Sequence, residues 1–119
     1  MLSDMEKDAI KKKFTALVND VELAIFTQEL ECQFCKETRE LTLELAAISP
    51  RIKTKFYDFV KNGDEDIKYN IKKIPAIAII GKKDFGIRYY GIPAGYEFAA
   101  LVDDIIDVSK GTTSLSENI

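Results

Sequence analysis

The chain has 119 residues, 46% of them hydrophobic, 31% charged and 10% aromatic, with a formal net charge of −3. That length sets one domain with a core of its own, without need of disulfide staples. The charge balance offers no excess of cation to neutralise phosphates, which argues against nucleic acid as a partner, and no run approaches the roughly 18 apolar residues of a membrane span.

The N-terminal stretch MLSDMEKDAIKKKF is charged from residue 4 onward and has no apolar core of a signal peptide, so the expected address is cytoplasmic. Residues 3 to 18 read as a helix. Ser3 and Glu6 fit a capping box, and Ile10, Phe14, Leu17 and Val18 fall on one face. Lys11, Lys12 and Lys13 read as a solvated face rather than a binding patch. Asn19-Asp20 stops the helix, and VELAIF, residues 21 to 26, reads as a buried strand.

A loop, TQELE, leads to the chain's two cysteines, Cys32 and Cys35. From Cys35 to about Ile48 the pattern is helical, with Leu41, Leu45 and Ile48 on one stripe and Leu43 and Ala47 widening it. Ser49-Pro50 ends it. KTKFYDF, 53 to 59, alternates as a second strand, Asn62-Gly63 turns, and 64 to 70 makes a short helix with acidic residues in its first turn. Ile74-Pro75 precedes a third strand, AIAII, 76 to 80. GKKD then turns the chain into a fourth, 85 to 90, as a hairpin. After the loop GIPAG, residues 96 to 108 form an amphipathic helix with Phe98, Leu101, Val102, Ile105 and Ile106 inward. The domain is expected to span 1 to 110, and 111 to 119 to be a flexible polar tail. The order α-βα-βα-ββα implies an α/β domain: a four-stranded mixed sheet with helices on both faces.

The cysteines have three readings. Two inert buried thiols is one. Half of a metal or cluster site is another, but a closed zinc site wants four ligands, and with no histidine the chain would complete one only by dimerising or by using carboxylates. The favoured reading is a catalytic dithiol, because a cytoplasmic CxxC at a strand-to-helix junction sits where unpaired N–H groups stabilise a thiolate. Cys32 is then the nucleophile and Cys35 the resolving thiol. Glu29 and Glu31 oppose thiolate formation at Cys32, and Lys36 and Arg39 compensate. Gln33 and Phe34 lie between the cysteines. Phe34 is either a rim for a partner peptide or packing for the loop.

CxxC after the first core strand, the β-α-β-α-β-β-α order and Ile-Pro before the third strand together resemble the thioredoxin fold. The extra N-terminal helix, Cys32-Gln33-Phe34-Cys35 and the run KDFGIRYYGIPAGYEFAALVDDIIDVS, 83 to 109, resemble more closely the N-terminal unit of the glutaredoxin-like protein disulfide oxidoreductases of thermophilic archaea and bacteria. The resemblance implies that Pro75 is cis and faces the cysteines; the competing reading is a simple trans proline at a strand entry. It implies that Ile74 offers unpaired backbone to a substrate docking as an added strand; with Gln33 and Phe34 from between the cysteines, Ile74 and Pro75 make up the expected substrate-contacting set. It implies an enzyme: a thiol–disulfide oxidoreductase acting on disulfide-containing proteins, without cofactor or metal. Members of that family carry two such units, each with a CxxC, so the chain reads as a natural single unit or as one half of a pair. No tryptophan precedes Cys32, no proline separates the cysteines, and the glutathione-binding residues of true glutaredoxins are not recognisable. With no dinucleotide fingerprint, the electron source is expected to be another chain, a thioredoxin-reductase-like flavoprotein. The competing function is a redox-inactive docking or dimerisation module.

Overall fold

The computed structural model describes residues 2–111. Helix α1 spans Asp4–Lys13, and both halves of the capping box form: Ser3 Oγ accepts from the Glu6 N–H at 3.1 Å, and the Glu6 carboxylate accepts from the Ser3 N–H at 3.1 Å. The helix is shorter than the spacing suggests. It tightens into a 3₁₀ turn at Phe14–Ala16, and Leu17 is already extended. Ile10, Phe14 and Leu17 are buried as expected, but Val18, freed from the helical phase, points outward.

Strand β1 is Val21–Thr27, α2 is Cys35–Ile48, β2 is Ile52–Asp58, α3 is Gly63–Lys68, β3 is Ala76–Ile80, β4 is Asp84–Tyr90 and α4 is Tyr96–Ser109. The strand order is β2-β1-β3-β4, with β1 parallel to β2 and antiparallel to β3, and β3 antiparallel to β4. A parallel β1–β2 pair needs a crossover, and α2 supplies it.

Alternation along β1 divides the core. Val21, Leu23 and Ile25 meet α1, α2 and α4 through Ile10, Phe14, Leu45, Leu101, Val102 and Ile105. Ala24 and Phe26 face the other side, under Tyr57, Tyr69 and Ile71. There Phe26 stacks on Tyr57 with ring centroids 4.9 Å apart, and Tyr69 meets Phe26 edge-on at 5.7 Å. Three helices thus cover one face, while α3 and the chain leaving it cover the other.

Helix α2 differs from its expected stripe. Leu41 and Leu45 are buried, but Leu43 and Ala47 are exposed, and Thr38 and Thr42 take the inward positions. Positions 35, 38, 41, 42 and 45 share the buried face at helical spacing. Thr42 tolerates the apolar surroundings because its hydroxyl donates to the Thr38 and Arg39 carbonyls at 3.0 and 2.9 Å. Of the expected tail, residues 112–119 lie outside the described residues.

Candidate active site: a disulfide at the end of the sheet

Strand pairing brings the site together. Phe26 lies opposite Ala76, so Pro75 sits beside Thr27, where β1 leaves the sheet for the cysteines. Thr27 also lies opposite Asp58 at the end of β2, and Tyr90 opposite Ala76 at the end of β4. The C-terminal ends of β1, β2 and β4, the entry to β3 and the start of α2 therefore occupy one end of the molecule. The Ile74–Pro75 peptide bond is cis. Pro75 is buried, and its carbonyl accepts from the Gly91 N–H at 2.9 Å, which ties the GIPAG loop to the same end.

Cys32 and Cys35 form a disulfide, with Cα atoms 5.6 Å apart. Phe34 adopts a left-handed conformation, φ 69°, and caps α2 through its backbone alone. The first helical bond runs from the Thr38 N–H to its carbonyl at 2.9 Å. Cys32 thus precedes the helix rather than lying in its first turn, and Cys35 is the first helical residue. The bond between the sulfurs still holds both at the terminus where unpaired N–H groups and the positive end of the dipole converge.

Exposure separates the two cysteines. Cys35 is 2% exposed, whereas Cys32 is half-buried and open to solvent. Phe34 is 45% exposed, and Gln33 is exposed beside it. Ile74 is half-buried. Among the charges expected to bear on Cys32, Glu29, Glu31 and Lys36 are exposed. Arg39 is half-buried and donates from Nη1 to Thr27 Oγ1 at 3.4 Å, bracing α2 against the end of β1.

Two hollows lie on the β2 side of the loop that leads to Cys32; neither is lined by a cysteine. One, about 190 Å³, is lined by Thr27, Gln28, Glu29, Arg39, Phe56, Tyr57 and Asp58. The other, about 380 Å³, is walled by residues 28–31 and by Asp58, Val60 and Lys61. Sequence reasoning missed the residues of the second wall. They stand more than twenty positions from the cysteines, and only the parallel register of β1 with β2 brings them beside the loop that follows Thr27. Nearby, burial and then the Asp58 carboxylate push the Asp66 carboxyl above its ordinary range. Among the described residues no group of three or more His, Cys, Asp or Glu side chains is placed to hold a metal ion, and no helix is long and apolar enough to cross a membrane.

No protein-family model matches the chain, and no curated protein matches it. Solved structures do. A protein disulfide oxidoreductase from Aeropyrum pernix is similar at a TM-score of 0.84 and 25% identity, over 96% of this chain and 50% of that one. The alkylhydroperoxide reductase protein AhpF of Enterococcus faecalis is similar at a TM-score of 0.84 and 20% identity, over 94% of this chain and 54% of that one. A thioredoxin mutant from Halobacterium salinarum is similar at 0.58 and 20% identity, over 92% and 88%. The chain spans about half the length of the first two. The four-stranded mixed sheet, the helices on both faces and these likenesses together give the thioredoxin fold, extended by an N-terminal helix, with the CxxC pair at the end of the sheet where α2 begins.

Proposed function

We propose that the chain is a thiol–disulfide oxidoreductase that cycles the Cys32–Cys35 pair against disulfides of other proteins. The observation that carries this reading is the pairing of an accessible Cys32 with a buried Cys35 at a helix start. In the reducing direction the Cys32 thiolate attacks a substrate sulfur, forming a mixed disulfide and releasing one substrate thiolate. Cys35 then attacks the Cys32 sulfur, re-forming the intramolecular disulfide and releasing the second thiolate. Two electrons pass to the substrate, and no metal or cofactor takes part. Burial of Cys35 suits the resolving role, because an incoming disulfide meets Cys32 first. The exposed Gln33 and Phe34 and the backbone at Ile74–Pro75 form the contact surface, with the substrate lying extended across it.

The proposed partners are disulfide-bearing proteins and, as electron source, a thioredoxin-reductase-like flavoprotein in a cytoplasmic setting. The likeness to an alkylhydroperoxide reductase protein supports a donor of that kind. The test is equilibration across dithiol redox buffers, with alkylated thiols counted by mass. One two-electron transition between about −300 and −180 mV is expected, the range of working thioredoxin-like pairs. Cys32→Ser should abolish disulfide reduction, and Cys35→Ser should arrest at a mixed disulfide. Absence of any transition, or full activity in Cys32→Ser, would overturn the proposal.

A further inference from the structure

The groove whose lining ends at Glu31, the residue before Cys32, has properties that a general thiol exchanger does not need. One wall is the loop 28–31, held by the Gln28 amide, which donates to the Leu30 carbonyl at 2.6 Å and the Glu31 carbonyl at 3.5 Å. The other wall is the turn after β2, where the Asp58 carboxylate accepts the Val60 and Lys61 N–H groups at 2.9 Å each. The Phe59 N–H donates to the Thr27 carbonyl at 2.8 Å and ties the walls together. The groove is therefore built before any ligand arrives, which lowers the ordering cost of binding.

Its lining is two-natured. Leu30 and Val60, on opposite walls, are 78% and 74% exposed. Solvent-facing aliphatic side chains of that size bracketing one hollow present an apolar clamp. Around them stand three carboxylates, Glu29, Glu31 and Asp58, against one ammonium, Lys61. This sign is local. The flank across β1, on the side of Ile74, carries Lys72 and Lys73, and Lys73 lies 5.2 Å from the Tyr90 ring centroid.

We infer that this groove selects the substrate: it receives a segment next to the target cysteine that combines an aliphatic with a basic side chain. The aliphatic group sits between Leu30 and Val60, and the cation faces Glu29, Glu31 and Asp58. The inference deepens the redox reading above and rests on it for the identity of the occupant, a disulfide-bearing protein segment.

The test uses two short peptides, identical except that the residue beside their single cysteine, next to a leucine, is arginine in one and glutamate in the other. Binding to the oxidised protein is followed by fluorescence anisotropy with serine in place of the peptide cysteine, so that no chemistry is required. Reduction of the disulfide-linked peptide dimers, and of the small neutral hydroxyethyl disulfide, is followed separately. The arginine peptide should bind and react at least about fivefold better at low ionic strength, with the preference shrinking in salt. Glu29→Gln combined with Glu31→Gln should bring the two peptides within about twofold of each other, the scale left by one remaining exposed pair. Leu30→Ser with Val60→Ser should weaken both peptides alike and keep their ratio. Equal binding of the two peptides, or a preference that survives the glutamate substitutions, would overturn the inference. Hydroxyethyl disulfide reduced without discrimination between peptides refutes the groove and leaves the redox reading standing. Selective binding with no disulfide reduced supports the groove and refutes the redox reading.

Discussion

Removing one hydroxyl at the far end of α4 tests whether the N-terminal extension is welded to the domain. Ser109 is fully buried, and its Oγ accepts from the Val18 and Asn19 N–H groups at 2.7 and 3.0 Å while donating to the Asn19 carbonyl at 2.9 Å. Asn19 Nδ2 returns a bond to the Ser109 carbonyl at 2.9 Å. Ser109→Ala deletes three hydrogen bonds and keeps the fourth. At about 0.5–1.5 kcal/mol each, the range is about 1.5–4.5 kcal/mol. Val18 is exposed and Asn19 half-buried, so water reaches part of what is left, and the expected loss is about 2–3 kcal/mol. With a urea slope of about 1–3 kcal/mol per molar for a small domain, the midpoint should fall by roughly 1–2 M with the slope unchanged. Asn19→Ala should cost about 1 kcal/mol, and the double variant less than the sum, because the two side chains share one network. A midpoint shift under about 0.3 M for Ser109→Ala would refute the latch, since it equals less than one net hydrogen bond.

Two further substitutions probe the interior and the β4 edge. Thr38 is fully buried and its hydroxyl has no hydrogen-bond partner among the described residues, so the near-isosteric Thr38→Val should stabilise the protein by about 1 kcal/mol in the same denaturation assay; a loss of stability would show that the hydroxyl is satisfied. Asp84 pairs with Arg88 through two bonds, 3.0 and 2.5 Å. That pairing, with burial opposing and the Gly86 N–H assisting, holds its carboxyl below the ordinary range. A depressed carboxyl stabilises the fold above its unfolded pKa of about 4 and loses that contribution as pH falls through the folded value. Asp84→Asn should therefore cost about 1 kcal/mol at pH 7, after solvent screening, and the gap to the parent protein should close below about pH 4; a gap independent of pH would refute the assignment.

Much of this was legible from residue types acting locally. The capping box at Ser3 and Glu6 starts α1, and Ser49-Pro50 stops α2, because those side chains act within a turn of their own position. The CxxC at a helix start and the strand AIAII were legible for the same reason, whereas the cis bond at Pro75 was implied only by the resemblance to the thioredoxin fold. Tertiary choices were not. Val18 leaves the core because Phe14–Ala16 tightens to reach β1. Leu43 is exposed and Thr38 buried because the sheet, not the hydrophobicity of α2 alone, decides which face turns inward. Helix α4 runs one residue past its expected end, to Ser109, whose value lies in partners ninety positions away. The second wall of the groove depends on strand register, which no local pattern encodes.

The cysteines stand three positions apart, so their bond closes one of the shortest loops a chain can make. On a loop-entropy scale such a link contributes only about 2 kcal/mol to the fold. Folding and oxidation form a closed thermodynamic cycle. The difference in unfolding free energy between the oxidised and reduced chain must equal the difference in disulfide affinity between the folded and unfolded chain. Each 1.4 kcal/mol in the first is about 30 mV in the second. Two denaturation curves, one with the disulfide closed and one with it open, therefore measure how far the fold poises this pair away from that of the same peptide unfolded. A latch such as that at Ser109 that persists on reduction cancels from that difference, which leaves the poise to the residues around the start of α2.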